Sequence, residues 1–476
     1  MNDGVDIILS QNVILYTWQQ LLARAGISDK LLRTETGLEL FGLPVYYSSP
    51  EAVTTNPGII VVPCSAQSWN ILLEKQPDSL HWLSNRESVP VGTRLPFENP
   101  VPVLFWGEGY DGGESPFAML DADGRLVFHV DIIASSFFML SRLEEIRPKM
   151  YDGHGRFPGS ASVAYRQRFL DIPIVDQYAI FLREWLKVLK PDIQFAKANP
   201  KINLTHDIDW VFTFSDIVQF AQKIGGLLIK QKNLSETLNQ FRELYFQFIS
   251  PAQGEFYRSI YWLADLSERY GFISKFYFMA ADHNKYQQGY DPTLSLIQSC
   301  LRDLRHRGHG IGFHPGYSTF QDPSQLVVEK ERIEKALGES VSEGRQHYLR
   351  FRVFDTWRQW EQAGLQYDST MGYADQEGFR CGTCHPYHPF DFERDREMTI
   401  WEIPLIVMDT SLFQYRKMSP EQGKDRVLEL AYRCAEVGGT FTLLWHNTSF
   451  SGALQKWGAT YPEILSGLSA IQGGNK

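Results

Sequence analysis

Residues 202–209 read Ile-Asn-Leu-Thr-His-Asp-Ile-Asp, and how this octapeptide folds decides how everything after it folds. Apolar and polar residues alternate with the period of a half-buried strand. Ile202, Leu204, His206 and Ile208 fall on one side, and Asn203, Thr205, Asp207 and Asp209 on the other. Asp207 and Asp209 therefore share a face at the strand's end, about 6–7 Å apart. At that spacing one carboxylate can hold a cation while its neighbour handles the cation's water. Two solvated or helix-capping aspartates would produce the same pattern, so the pair signals chemistry only in company.

That company lies downstream, where strand-like and helix-like stretches alternate from Lys201 onward. Strands are expected at Ile202–Asp209, Ile273–Met279, Gly310–His314, Tyr348–Arg352, Gln366–Ser369, Ile400–Met408 and Thr440–His446. Helices are expected at Tyr257–Tyr270, Pro292–Arg307, Pro323–Ser342, Thr356–Ala363 and Pro420–Val437. The alternation suits right-handed crossovers and a largely parallel sheet, and seven such strands can close into a barrel. Reacting groups in such barrels sit at the carboxyl ends of the strands. His314 ends one strand just before Pro315 and Gly316, and His446 ends another just after Trp445. A single histidine beside apolar residues is more often packed than reactive. Strands of one array ending in Asp-x-Asp, His and His, however, supply both metal-ligand types and a titratable acid or base.

Upstream, Pro44–Tyr47, Gly58–Pro63 and Pro102–Trp106 read as short strands, and Asp131–Ile146 and Val175–Leu189 as helices covering a sheet. This half is expected to be α/β or α+β. A polar, proline-containing connection follows, Lys190-Pro191-Asp192 and then Lys197-Ala198-Asn199-Pro200, which neither a helix nor a central strand would tolerate. The expected domains are accordingly 1–199 and 200–476.

The 476 residues carry 46 Lys and Arg against 56 Asp and Glu, a net charge of -10 that leaves no broad basic surface for nucleic acid. No apolar run approaches the roughly 18 residues that span a bilayer. The first basic residue is Arg24, after Asp3 and Asp6, which does not fit a secretion signal. Five scattered cysteines do not form a disulfide framework, so a cytoplasmic location is expected. Cys381-Gly-Thr-Cys384-His385 matches a haem c attachment pattern, but such a chain is exported, and with His388 beyond it the four zinc ligands within eight residues leave little room for a tetrahedral shell. An ordinary loop with reduced, metal-free thiols is expected there.

Taken in order, several motifs resemble those of the polysaccharide deacetylase superfamily over about residues 201–476. They are Leu-Thr-His-Asp207-Ile-Asp209, Gly-Ile-Gly-Phe-His314-Pro-Gly-Tyr, Leu-Arg350-Phe-Arg352, Tyr-Asp368-Ser-Thr-Met-Gly-Tyr, Gly-Phe-Arg380 and Leu-Leu-Trp-His446. The chain is most similar to a bacterial branch with an additional amino-terminal domain, in which Asp131–Glu145 resembles a characteristic segment. The resemblance implies an α/β fold with a distorted (β/α)7 barrel. It also implies a hydrolase that uses a divalent metal, zinc by expectation, to remove acetyl groups from an N- or O-acetylated carbohydrate.

Carried over by position, the resemblance makes Asp207 the general base, Asp209 and His314 metal ligands, and His446 the general acid. Either Arg350 or Arg352 is the arginine that follows the third barrel strand. Tyr317, Asp368, Arg380 and Trp445 are the substrate-binding candidates, with Tyr373 and Trp401 as further rings for stacking on sugars. Typical members carry a second metal-binding histidine four residues after the first, where this chain has Ser318 followed by Thr319. Either Ser318, Thr319, water or another histidine completes the shell, or metal affinity is weakened, or hydrolysis has been lost. The last case would leave a catalytically inactive saccharide-binding protein. A glycosidase pair of Asp207 and Asp209 is a third reading, and it leaves His314 and His446 without a role.

Overall fold

The computed structural model describes residues 9–27, 31–35, 37–54, 57–75, 79–113, 115–146, 150–196, 199–214, 217–227, 234–451 and 454–473. Asp3, Asp6, Lys197 and Ala198, on which part of the sequence reading rests, lie outside the described residues.

Eight strands of the carboxyl-terminal region form one sheet in the order Trp401–Glu402, Tyr367–Asp368, Glu343–Gly344, Gly310–His314, Ser274–Met279, Lys201–Ile208, Thr440–Leu444 and Val407–Met408. Every pairing in it is parallel. The two edge strands belong to one short stretch of chain. Ile403 N–H donates to Asp368 O (2.8 Å) at one edge and Ile406 N–H to Thr442 O (3.1 Å) at the other. The residues joining the edge strands reach at most about 14 Å, so the sheet must be curled round to bring its edges together. Helices Glu255–Arg269, Ser295–His306, Pro323–Leu337, Asp355–Gln362 and Pro420–Glu436 form the crossovers. The expected α/β barrel is therefore present as a curled parallel half-barrel. Its central strands are buried on both faces, which is why Ser274–Met279 reads Ser-Lys-Phe-Tyr-Phe-Met rather than alternating.

Two strands differ from what the sequence suggests. Ile400–Met408, expected as one strand, is broken into Trp401–Glu402 and Val407–Met408 at opposite edges of the sheet. Tyr348–Arg352 was expected to be the fourth strand, but the pairing residues are Glu343–Gly344. Phe313 O would lie 2.0 Å from a Cβ at Gly344, so only glycine allows this close approach. The apolar alternation of Tyr348, Leu349, Arg350 and Phe351 instead belongs to a tight turn, with Tyr348 at φ 61° and Leu349 at φ 52°. Leu349 and Phe351 are buried from that turn rather than from a strand.

The amino-terminal region builds a mixed six-stranded sheet in the order Leu31–Thr34, Gly37–Leu40, Leu43–Tyr47, Ile59–Val61, Leu126–Phe128 and Ala118–Leu120. Val101–Val103 pairs with His81–Leu83 in a separate ribbon. Helix Ile132–Ser141 is buried along its whole length. Its N-cap Asp131 accepts hydrogen bonds from Ala134 N–H, Cys64 N–H and the Tyr47 hydroxyl, tying helix to sheet. Helix Ile174–Leu189 packs beside it. One apolar core runs without a break from Val13 to Leu468 through both regions. Among the described residues no helix is long and apolar enough to cross a membrane. All five cysteines are free.

Candidate metal centre and catalytic cleft

Asp207, Asp209, His314, His347 and His446 line one cavity of about 250 Å³ at the carboxyl ends of the parallel strands. Asp207 is the penultimate residue of the strand Lys201–Ile208 and Asp209 lies just beyond it, while His314 ends Gly310–His314 and His446 follows Thr440–Leu444. His347 comes from the turn after Glu343–Gly344.

Ligand atoms of Asp209, His314 and His347 all lie within 4.8 Å of one another. His314 Nε2 is 3.2 Å and His347 Nε2 3.9 Å from Asp209 Oδ1. His314 Nδ1 lies 2.7 Å from Arg345 O, and since a carbonyl only accepts, Nδ1 carries the hydrogen and Nε2 presents its lone pair. Among the described residues neither His314 Nε2 nor Asp209 Oδ1 makes a well-formed hydrogen bond, although both are buried. Burial drives His347 down to about 3 and keeps it neutral, as a ligand must be. Burial opposes ionisation of Asp209, but His314 at 3.2 Å and the imidazolium of His446 outweigh it and hold the carboxyl well below the usual range. Burial likewise opposes the charged form of His314, and Asp207 and Asp209 outweigh it to raise that group. The cluster thus favours a positive charge between these side chains. Two imidazoles and a carboxylate are a three-ligand set suited to a catalytic divalent ion.

Asp207 Oδ1 accepts from Arg345 Nη1 at 2.9 Å, and Arg345 is anchored in turn through Nε to Ser369 O (2.8 Å) and Nη2 to Ser369 Oγ (3.0 Å). On the other side of Asp209, His446 Nε2 lies 3.8 Å from Oδ2. Its Nδ1 is 2.7 Å from Asp409 Oδ1. Burial works against the imidazolium of His446, but Asp409 first, and then Asp209 and Asp207, lift it to about 10.

The remaining candidates are placed differently. Ser318 is exposed at the start of the turn Thr319–Gln321 and does not line the cavity, and Thr319 is buried with its hydroxyl on Gly316 O. The position four residues after His314 lies on this outward-facing turn, so His347 occupies the third place from a different loop. Arg350 packs on Tyr317 and bonds its carbonyl, and Arg352 is exposed beside Asp355. The arginine on Asp207 is Arg345. Arg380 is buried against Glu145, Trp445 is fully buried beside Tyr461, and Asp368 is buried with its carboxyl on Thr370 N–H (3.0 Å). None of these three can touch a substrate. Tyr317 is buried too, its ring stacked on Tyr286 at 3.8 Å. Tyr373 is buried with its hydroxyl on Arg142, and Trp401 packs on His388.

His347, Arg345 and Asp409 were not singled out from the sequence. The first two follow the shifted fourth strand, and Asp409 stands one residue beyond the expected strand Ile400–Met408. Cys384 lies in a second cluster with Asp176 and His385. There Asp176 Oδ1 already accepts from Arg24 Nε and Thr383 Oγ1, and Oδ2 from Cys384 N–H, so the group is a joint between the two regions.

Residues 65–191 match a family described as a family of unknown function, DUF7033. No curated protein matches the chain in sequence. Among solved structures the chain is similar to a putative polysaccharide deacetylase from Mycobacterium smegmatis at 14% identity and a TM-score of 0.37, over 58% of this chain and 87% of that one. It is also similar to Puue allantoinase at 12% identity and a TM-score of 0.35, over 56% of this chain and 83% of that one.

Proposed function

We propose that this protein is a divalent-metal-dependent hydrolase that removes acetyl groups from an N- or O-acetylated carbohydrate. The observation that carries the reading is the convergence of Asp209, His314 and His347 with Asp207 and His446 on one cavity. A divalent ion, zinc by the donor set, would polarise the acyl carbonyl and lower the pKa of water at Asp209, His314 and His347.

The chain's own residues supply the proton transfers. Arg345 holds Asp207 Oδ1, which fixes the carboxylate and leaves Oδ2 to take a proton from the attacking water. His446 carries a proton on Nε2 toward the leaving nitrogen or oxygen, while Asp409 holds Nδ1–H and favours the imidazolium. Leu349, Met408, Leu444 and Tyr348 give the cavity apolar walls, and Thr410 and Gln414 give it polar ones. A neighbouring cavity of about 530 Å³ shares Asp209, His347 and Tyr348 and adds Trp210, Tyr286 and several side-chain amides, including Gln222 and Asn284. Aromatic faces beside amides suit the faces and hydroxyls of a saccharide. The five free thiols support a cytoplasmic setting.

The test is acetate release from a panel of N- and O-acetylated oligosaccharides by the metal-stripped full chain, before and after adding zinc, cobalt or nickel. Restored release supports the reading. A protein that binds the saccharides but neither holds metal nor releases acetate is a binding protein, and the hydrolase reading falls.

A further inference from the structure

The turn that presents His347 has consecutive non-glycine residues in the left-handed region, Tyr348 at φ 61° and Leu349 at φ 52°. Such backbone persists only where its surroundings over-determine it. Part of that restraint comes from the amino-terminal region, within the matched stretch 65–191. Arg156 Nη1 donates to Tyr348 O at 2.8 Å, and Arg156 Nη2 donates to the Tyr415 hydroxyl at 3.0 Å. Arg350, just after the turn, donates through Nε to His154 O at 2.9 Å. The His154 ring lies 4.7 Å from that of Tyr348.

The loop that delivers these contacts is closed on itself. Asp152 Oδ1 accepts from His154 N–H (2.8 Å) and Arg156 N–H (3.0 Å), and its Oδ2 accepts from Arg156 Nε (2.7 Å). Gly155 provides the positive φ of 73° that the loop needs. Arg156 is 6% exposed, and both it and His154 line the catalytic cavity.

We infer that the Asp152–Arg156 loop is a positioning device for the metal centre: through Arg156 and His154 it clamps the strained turn that holds His347. The inference rests on reading His347 as the third ligand, and it gives the amino-terminal region a task in the reaction of the barrel. Arg156 is a positioning residue, since its guanidinium acts on the Tyr348 carbonyl and not on a reacting atom.

The experiment uses the metal-stripped full chain and two readouts, zinc affinity by competition with a chelator and amide exchange of the peptide 346–350 without metal. Removing an outer partner of a metal ligand costs about 10- to 100-fold in affinity. Arg156→Ala is expected to weaken zinc binding by that factor and to speed exchange in the turn, with Arg156→Lys, which keeps the charge and one donor, falling between. Asp375→Ala is the control. Asp375 accepts from Gly159 N–H at 2.7 Å, joining the same regions away from the turn, and its loss should leave both readouts unchanged. Unchanged zinc affinity in folded Arg156→Ala or Arg156→Lys overturns the inference, as does an equal loss in Asp375→Ala. If the wild type binds no zinc, the metal reading fails by itself, and the exchange data alone then decide whether Arg156 holds the turn.

Discussion

Asp409 Oδ1 lies 2.7 Å from Nδ1 of His446, and the second oxygen of the same carboxylate accepts from the His446 backbone N–H at 2.8 Å and from the Ser449 hydroxyl. One buried carboxylate therefore sets both the ring orientation and the protonation of the group proposed as general acid. Asp409→Asn keeps the volume but removes the charge that favours the imidazolium. Deacetylation is expected to fall by about 10²- to 10⁴-fold, the usual share of general acid–base catalysis. Bound metal should stay the same, which acetate release and metal analysis of one preparation would show. A loss of only a few fold would remove His446 from the acid role.

Asp207 and Asp209 stand two residues apart but should fail differently. Asp207→Asn removes a proton acceptor and is expected to cost about 10²- to 10⁴-fold in rate while metal stays bound. Asp209→Asn and His347→Ala should instead lower metal affinity, because each removes one of three ligands. Ser318→His should change neither, since Ser318 points outward. Tighter metal binding in Ser318→His would show that the turn after His314 reaches the centre.

The parts of this site legible in the sequence are those fixed by regular strands. Asp207, Asp209, His314 and His446 sit at or just past strand ends whose apolar pattern is long enough to read, and all four line one cavity. What the pattern hid follows from Gly344. A two-residue strand has no period, and the alternation in Tyr348–Arg352 imitates one, so the strand is read too late and Arg345 and His347 pass for connecting residues. Arg380 and Asp368 misled in another way. Both lie in segments resembling family motifs, yet both are buried: Asp368 turns its carboxyl onto Thr370 N–H, and Arg380 pairs with Glu145 from a distant segment, which leaves no local trace.

Arg380 illustrates the consequence. Its Nε donates to Glu145 Oε1 at 3.0 Å, its Nη2 pairs with the other oxygen of that carboxylate, and its Nη1 donates to Gly372 O at 2.8 Å. Glu145 also receives Arg142 Nε at 2.8 Å, so removing Arg380 strips a buried carboxylate of one of its cations. Arg380→Ala is expected to cost about 3–5 kcal/mol of stability. The KM of the folded protein for an acetylated saccharide should hardly move. Urea unfolding with steady-state kinetics separates the two effects, and a raised KM at unchanged stability would return Arg380 to the substrate.

His206 makes stability depend on pH through a different route. It lies on the buried side of the strand Lys201–Ile208, with Nδ1 2.8 Å from Trp445 O and its ring against Phe276. Burial pushes it down to about 3, so it is neutral when folded at any pH near neutrality. In the unfolded chain an ordinary imidazole takes up a proton near pH 6.5. Below that pH the unfolded state binds more protons than the folded one, so stability rises with pH from about 3 to 6.5 and is lost on acidification. Between pH 7.5 and 5.5 the loss from this one group is about 1.4 kcal/mol. His347, also driven down by burial, acts in the same direction. Urea unfolding in chelator across that range keeps metal release out of the measurement. His446 and His314, both raised, act in the opposite direction, so the readout is the difference between two proteins: on going from pH 7.5 to 5.5, His206→Gln, which can still donate to Trp445 O but does not titrate, should gain on wild type by about that amount. Equal slopes for the two proteins would mean that His206 is already exposed or protonated in the folded state.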